Sequence, residues 1–281
     1  MISYRHHIVS LVAVFLALAV GVVLGGGPLS DLGRDDRPAA ATTQERTARQ
    51  AASYGDEFAA ASAAHLYDNG LKDRSVSLLV LPGADGDVVS ALGAEIESAG
   101  GSVAGTYDAR EALTDPSEKS LVDTLGSQVM KQLGAGAVSQ DASTYVRIGQ
   151  LVGLAVAGDD LPSSDAAAIR QSLDGAELMT SPQGAARAPV VLVVLGQRVD
   201  PAILSGVVEG LAAKATGVVV AGSARRLADL RAEPAASQVA TVDGVATPLG
   251  RVTATLALIR SLTVQGGSFG ASGSDGAVPV T

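Results

Sequence analysis

Hydrophobic and polar positions divide the chain into three stretches with different periods. Residues 8–24, IVSLVAVFLALAVGVVL, carry no charge and do not alternate. As a helix they span roughly 25 Å, and the weakly polar residues up to 29 extend this to the ~30 Å of a bilayer core. The pattern predicts a transmembrane anchor over residues 8–29 in the lipid bilayer. A signal-peptide apolar region is shorter, about 7–15 residues; cleavage near Val23-Leu24-Gly25 is the alternative. Arg5, His6 and His7 favour a cytoplasmic segment 1–7, while Arg34 and Arg37 oppose them at the other end. The basic–apolar order is that of a signal-anchor, which exports everything after it. A single helix cannot enclose a pore, because a channel needs several helices or a closed barrel.

Within the anchor, Ala13, Ala17, Gly21 and Gly25 recur every four residues. Small residues at that spacing let two helix backbones approach in lipid, which suits self-association or docking on another membrane helix. An alanine-rich chain also places small residues there by chance.

Residues 30–70 form the second stretch, a polar linker and then an alanine-rich helix. Ala51, Tyr54, Phe58, Ala61 and His65 lie three and four apart, the spacing of a coiled-coil seam. Tyr54 and Phe58 are its only large members and are the expected partner contacts. Gly55 weakens the helix, and a solvated spacer accounts for the same pattern. Asp68-Asn69-Gly70 ends it.

From residue 71 to 263 strand and helix patterns alternate. SVSLLVL, SVAGTY, PVVLVVL, GVVVAG and a run near residues 239–242 read as strands. DVVSALGAEIESAG, SEKSLVDTLGSQVMKQL, ASTYVRIGQLVGLAV and the segments 201–214 and 248–262 read as helices. Asp200-Pro201 and Thr247-Pro248 are N-cap and first-turn pairs. Continuous apolar strands between helices predict an α/β domain with a mainly parallel, doubly wound, Rossmann-like sheet covered on both faces. Residues 264–281 are rich in Gly and Ser and read as a flexible tail.

Composition narrows the chemistry. Hydrophobic residues are 47% of the chain and aromatics 3%, so Ala, Val and Leu must build the core. A net charge of −9 argues against nucleic acid. Cysteine is absent and the histidines, His6, His7 and His65, precede the α/β domain, which excludes His-assisted and Cys nucleophiles there. Asp159-Asp160, before Leu161-Pro162, reads as a solvated loop. The expectation is a protein that is not an enzyme and has no resident cofactor.

Two turns invite a ligand. Leu81-Pro82-Gly83-Ala84-Asp85-Gly86-Asp87 lacks the Gly-x-Gly-x-x-Gly spacing for a pyrophosphate, and its acids would cap the next helix and repel an anion. Asp108 stands about where a ribose-binding acid would. Gly222-Ser223-Ala224-Arg225-Arg226 could hold an anion through backbone amides and two arginines; a solvated basic helix start is the better account. For a metal, His6 and His7, near Met1, are the only compact candidate group, and imidazole suits copper.

The opening MISYRHHIVSLVAVFLALAVGVVLGGGPL resembles the actinobacterial MctB-like copper transporter family, which includes the SteB proteins. The likeness continues through LLVLPGADGDVVSALGAEIESAGGSVAGTY and TVDGVATPLGRVTATLALIRSL and spans essentially the whole chain. Where such proteins carry Gly-His-Tyr-Gly near the end, this chain has Gly267-Ser268-Phe269-Gly270, and its stalk is shorter. The resemblance implies two roles. One is copper efflux or homeostasis across the envelope, as an oligomer or with partners. The other, of the SteB type, is a single-pass division factor that pairs with a SteA-like membrane partner and regulates a peptidoglycan hydrolase. The residues favour the second: an anchor, a stalk and a site-poor domain facing outside the cell membrane.

Overall fold

The apolar runs form the strands they predict. The computed structural model describes residues 43–134, 136–158 and 161–279. Strands β1 (Ser75–Val80), β2 (Ser102–Ala109), β3 (Met179–Thr180), β4 (Val190–Val194), β5 (Gly217–Gly222), β6 (Ala240–Asp243) and β7 (Ser268–Phe269) make one sheet in the order β3-β2-β1-β4-β5-β6-β7. All neighbours are parallel except β3, which runs antiparallel to β2. Val76 of β1 pairs with Val190 of β4, which pairs with Gly217 of β5. Every residue of β4 and β5 is buried, as both-face covering of a parallel sheet requires.

Among the described residues nine α-helices form, the first ahead of β1 and the other eight between strands: α1 (Thr43–Tyr67), α2 (Gly86–Ser98), α3 (Glu111–Thr114), α4 (Lys119–Leu133), α5 (Thr144–Val156), α6 (Ser163–Gly175), α7 (Pro201–Ala212), α8 (Ala224–Arg231) and α9 (Pro248–Ser261). The caps fall where the sequence predicts them. Asp200 accepts from Ala202 N and Ile203 N ahead of α7, and Thr247 accepts from Gly250 N ahead of α9. Asp85 likewise accepts from Asp87 N at the start of α2.

Alternate strand residues serve two cores. Leu79, Val191, Val193, Val218 and Val220 face α4 to α8. Val76, Leu78, Leu192, Val219 and Val242 face α1, α2 and α9. Ser77, buried on the Leu79 side of β1, donates to Val156 O at 2.7 Å and so leaves no unpaired hydroxyl. In the first core α5 and α7 cross with backbones touching. A Cβ on Gly149 would lie 2.3 Å from Val207 O, and one on Gly210 would lie 2.1 Å from Val146 O. Gly149 and Gly153 on α5, with Gly206 and Gly210 on α7, thus place the Gly-x-x-x-Gly spacing inside the α/β domain.

The chain has two compact units, residues 1–52 and 53–281. The first is described only for residues 43–52, the opening of α1. In the second, residues 53–67 of α1 are part of the α/β domain. Ala59, Ala63 and Tyr67 are buried in the second core, so the predicted domain start at residue 71 moves back to residue 53. Among the described residues no helix is long and apolar enough to cross a membrane; segment 1–7 and the predicted anchor 8–29 lie outside them.

The tail also differs from expectation. Thr241 of β6 pairs with Ser268 of β7, and Asp275 accepts from Ser268 N at 2.8 Å. Its glycines permit close approach rather than flexibility. Gly270, at φ +104°, would place a Cβ 2.6 Å from Asp243 Oδ1, and Gly273 would place one 2.4 Å from Ser268 O. Residues 264–279 are therefore a clasp on the sheet edge.

Candidate functional site

In a doubly wound sheet, ligands bind beyond the carboxyl ends of the strands, first of all where the winding reverses. Here that point lies between β1 and β4, and the two loops close it. Leu81 N donates to Val194 O at 2.9 Å and Gln197 N to Pro82 O at 2.7 Å. A Cβ on Gly196 would lie 2.0 Å from Ala84 N. Asp85 occupies the first-turn amide that a pyrophosphate would need. Asp108, at the end of β2, is exposed. The loop chemistry therefore caps a helix.

One step along the edge, between β4 and β5, the loops part. Gly222-Ser223-Ala224-Arg225-Arg226 does open a helix, α8, as its sequence predicts. Arg225 and Arg226 line a cavity there of about 370 Å³, together with Arg198, which follows β4.

Beyond β6 the polar chemistry is densest. Asp243, 3% exposed, accepts from Ala271 N at 2.8 Å, Ser272 N at 3.1 Å and Ser272 Oγ at 2.5 Å. Arg231 of α8 meets it at 3.1 Å and also donates to Thr241 Oγ1, Phe269 O and Ser272 O. Burial pushes the Asp243 carboxyl up; the Ser272 hydrogen bonds, the Arg231 guanidinium and Ala271 N outweigh it and hold it below its ordinary range. Every donor comes from the chain itself, so this cluster fixes the clasp. Sequence reading missed it, although an aspartate ending the buried strand ATVD is the signal that could have found it.

On α1, Tyr54 and Phe58 stand outward, 72% and 60% exposed, and Leu66 is exposed as well. The same helix is held from beneath. Tyr67 donates to Glu95 Oε2 at 2.6 Å, and Asp56 Oδ1 accepts from Leu249 N at 3.2 Å. Burial, then the Glu95 carboxylate, push the Tyr67 phenol far above its usual range. Seam residues Ala61 and His65 are exposed beside Tyr54 and Phe58.

His6, His7, Ala13, Ala17, Gly21, Gly25, Asp159 and Asp160 lie outside the described residues. Among the described residues no three His, Cys, Asp or Glu side chains converge as a metal site.

The model of a family described as "Copper transport outer membrane protein, MctB" matches residues 1–280 of this chain. Proteins named copper transporter MctB from Mycobacterium bovis and Mycobacterium tuberculosis are 30% identical over 318 aligned residues, covering 100% of this chain and 99% of theirs. The protein of the same name from Mycobacterium leprae is 29% identical over 321 residues with the same coverage.

Proposed function

The chain belongs to the MctB family, and from that premise we propose that it serves copper homeostasis at the cell envelope by contact rather than by catalysis. The observation that carries this reading is the match over the whole chain to a family described by copper transport. The protein sits in the cell membrane through a single anchor at residues 8–29 and presents its α/β domain outside. One helix cannot conduct an ion, so the metal's path is formed by several copies or with a membrane partner. Ala13, Ala17, Gly21 and Gly25 are the surface on which the anchors pack. His6 and His7 supply imidazole contacts for copper at the membrane edge, and partner groups complete the ligand set. Copper is cargo here, not a resident cofactor.

The test is cell-associated copper in a strain lacking the protein, under mild copper stress. Accumulation is expected, reversed by the native chain and not by the His6→Ala/His7→Ala variant. Unchanged copper in the deletion strain overturns the reading.

The exposed pair Tyr54 and Phe58 favours a second reading, the SteB type. In it the stalk face engages a peptidoglycan hydrolase while a SteA-like protein binds at the membrane. Here the deletion strain fails in cell separation, and Tyr54→Ala/Phe58→Ala does not restore it although the variant accumulates normally. Normal separation in the deletion strain sets this reading aside.

A further inference from the structure

The turn that leaves α1 joins a reactive dipeptide to one fixed and one removable support. Asp68 and Asn69 both take left-handed backbone, at φ 45° and 54°, which short polar residues tolerate best after glycine. At Gly70 nothing larger fits, because a Cβ would lie 2.7 Å from Ile259 Cγ2 and 2.9 Å from Tyr67 O. Backbone and packing together therefore place an asparagine directly before a glycine. In that order the main-chain nitrogen that follows reaches the asparagine side-chain carbonyl with no side chain in its way. Asn69 is exposed, and its Oδ1 lies over Gly100, where a Cβ would come within 3.3 Å of it. Downstream the turn is fixed: Leu71 is fully buried and its N donates to Ala99 O at 3.0 Å. Upstream it hangs on α1. Gly70 N donates to Tyr67 O at 2.7 Å, and Tyr67 is seated by its buried ring and its bond to Glu95.

From this geometry we infer that Asn69 is a deamidation site gated by the seating of α1. While Tyr67 is seated, its carbonyl holds Gly70 N and keeps it from acting as a nucleophile. When α1 lifts, Tyr67 leaves and Leu71 stays, so that bond breaks and the Gly70 amide is released. Gly70 N then gives up its proton and bonds to Asn69 Cγ. The Cγ–Nδ2 bond breaks, and ammonia departs with that proton, leaving a succinimide ring. Water adds to one of the two ring carbonyls and reopens the ring. The product is aspartate at position 69 or its iso form, in which the main chain runs through the side-chain carboxyl carbon. The iso form lengthens by one main-chain carbon a turn in which Gly70 has no spare room. It therefore opposes the reseating of α1 and records that the helix has lifted. This modification is separate from copper handling and stands or falls independently of it.

The experiment incubates the full chain, in phosphatidylcholine nanodiscs and mildly alkaline buffer, and follows position 69 by peptide mapping that separates asparagine, aspartate and iso-aspartate. The same chain unfolded in denaturant gives the ungated rate. Where opening and closing are fast, the rate tracks the population of the open form. The native chain is expected to react about tenfold or more slower than the unfolded one. Ala63→Glu, which puts a carboxylate under α1, should raise the native rate about tenfold or more. Tyr67→Phe, which removes only the Glu95 bond, should raise it about fivefold. Gly210→Ala strains the α5–α7 contact and leaves α1 seated, so well below its unfolding midpoint it should leave the rate unchanged. Three outcomes overturn the proposal: a native rate equal to the unfolded one, a rate that Ala63→Glu and Tyr67→Phe leave unchanged, or one that Gly210→Ala raises as much as they do.

Discussion

On one face of the sheet, α5 and α7 meet backbone against backbone through Gly149 and Gly210; on the other, α1 rests on α2 and α9 through Ala59, Ala63 and Tyr67. The first contact has no room for a single extra methyl. The second rests on two alanine methyls, each contributing about 0.8 kcal/mol, on the buried Tyr67 ring, and on two side-chain hydrogen bonds. The difference assigns separate jobs. The glycine-locked face is expected to set the fold, while α1 is expected to lift without unfolding the domain. That is also the element whose outer side carries Tyr54 and Phe58.

The sharpest way to break this comparison is to add one carbon on each side. Gly210→Ala puts a Cβ 2.1 Å from Val146 O and 2.6 Å from Gln150 N, both backbone atoms that cannot swing away. It should cost about 3 kcal/mol or more and lower the thermal midpoint by roughly 10 °C. Gly55→Ala in α1 meets nothing within 4 Å and should be neutral or stabilise by up to about 1 kcal/mol. Equal midpoints for the two variants would remove the distinction between the faces.

A charge under α1 is the next test. Ala63→Glu places a carboxylate where the native methyl is 5% exposed, at a cost of several kcal/mol if the helix stays seated. The helix should instead lift. Amide hydrogen exchange is expected to rise over residues 53–67 while β4 and β5 keep their protection. Global loss of protection would show that α1 is as integral as α7.

These two faces also show what could be read in advance. The strands and caps were legible because their causes are local: uninterrupted Val and Leu runs in β1, β4 and β5, and Asp200-Pro201 and Thr247-Pro248 at helix starts. The inner face of α1 was not. Large residues three and four apart draw attention to Tyr54 and Phe58, yet alanines occur on every side of the helix, and only tertiary packing selects Ala59 and Ala63. Helix α6 and the two-residue β3 lacked a strong apolar period of their own. The Gly-x-x-x-Gly spacing drew notice at Gly21 and Gly25 and not at Gly149 or Gly206, since spacing alone carries no partner. In the clasp, glycine content spoke for flexibility, whereas the deciding groups, Asp243 and Arg231, lie far away in sequence. The closing of the β1/β4 crevice was half legible. The missing glycine fingerprint and Asp85 were visible; Gly196 pressing on Ala84 was not.

Tyr67→Phe is a smaller perturbation of the α1 seat. It removes the 2.6 Å bond to Glu95 and leaves the ring in place. About 1 kcal/mol should be lost, because Glu95 regains water as partner. Chemical denaturation at neutral pH measures it, and a loss above about 3 kcal/mol would mean that the hydroxyl organises more than this one pair.

The mildest test is acidity, which acts where the two faces are tied together. Arg231 belongs to α8 on the glycine-locked side, and Asp243 ends β6 and holds the clasp. The folded carboxyl sits below its ordinary 3.8. A depressed carboxyl stabilises the fold fully above its unfolded pKa, and that contribution disappears as pH falls through the folded value. At neutral pH nothing should change. Below about pH 4 the amides of Thr241 and Phe269 should gain exchange before those of α5 and α7, since neutral Asp243 no longer answers the Arg231 charge. Asp243→Asn should be less stable at neutral pH and flatter on the acid side. An identical acid slope in the native and Asp243→Asn chains would move the acid sensitivity to other carboxylates and leave the clasp held by its strand pairing and glycine contacts alone.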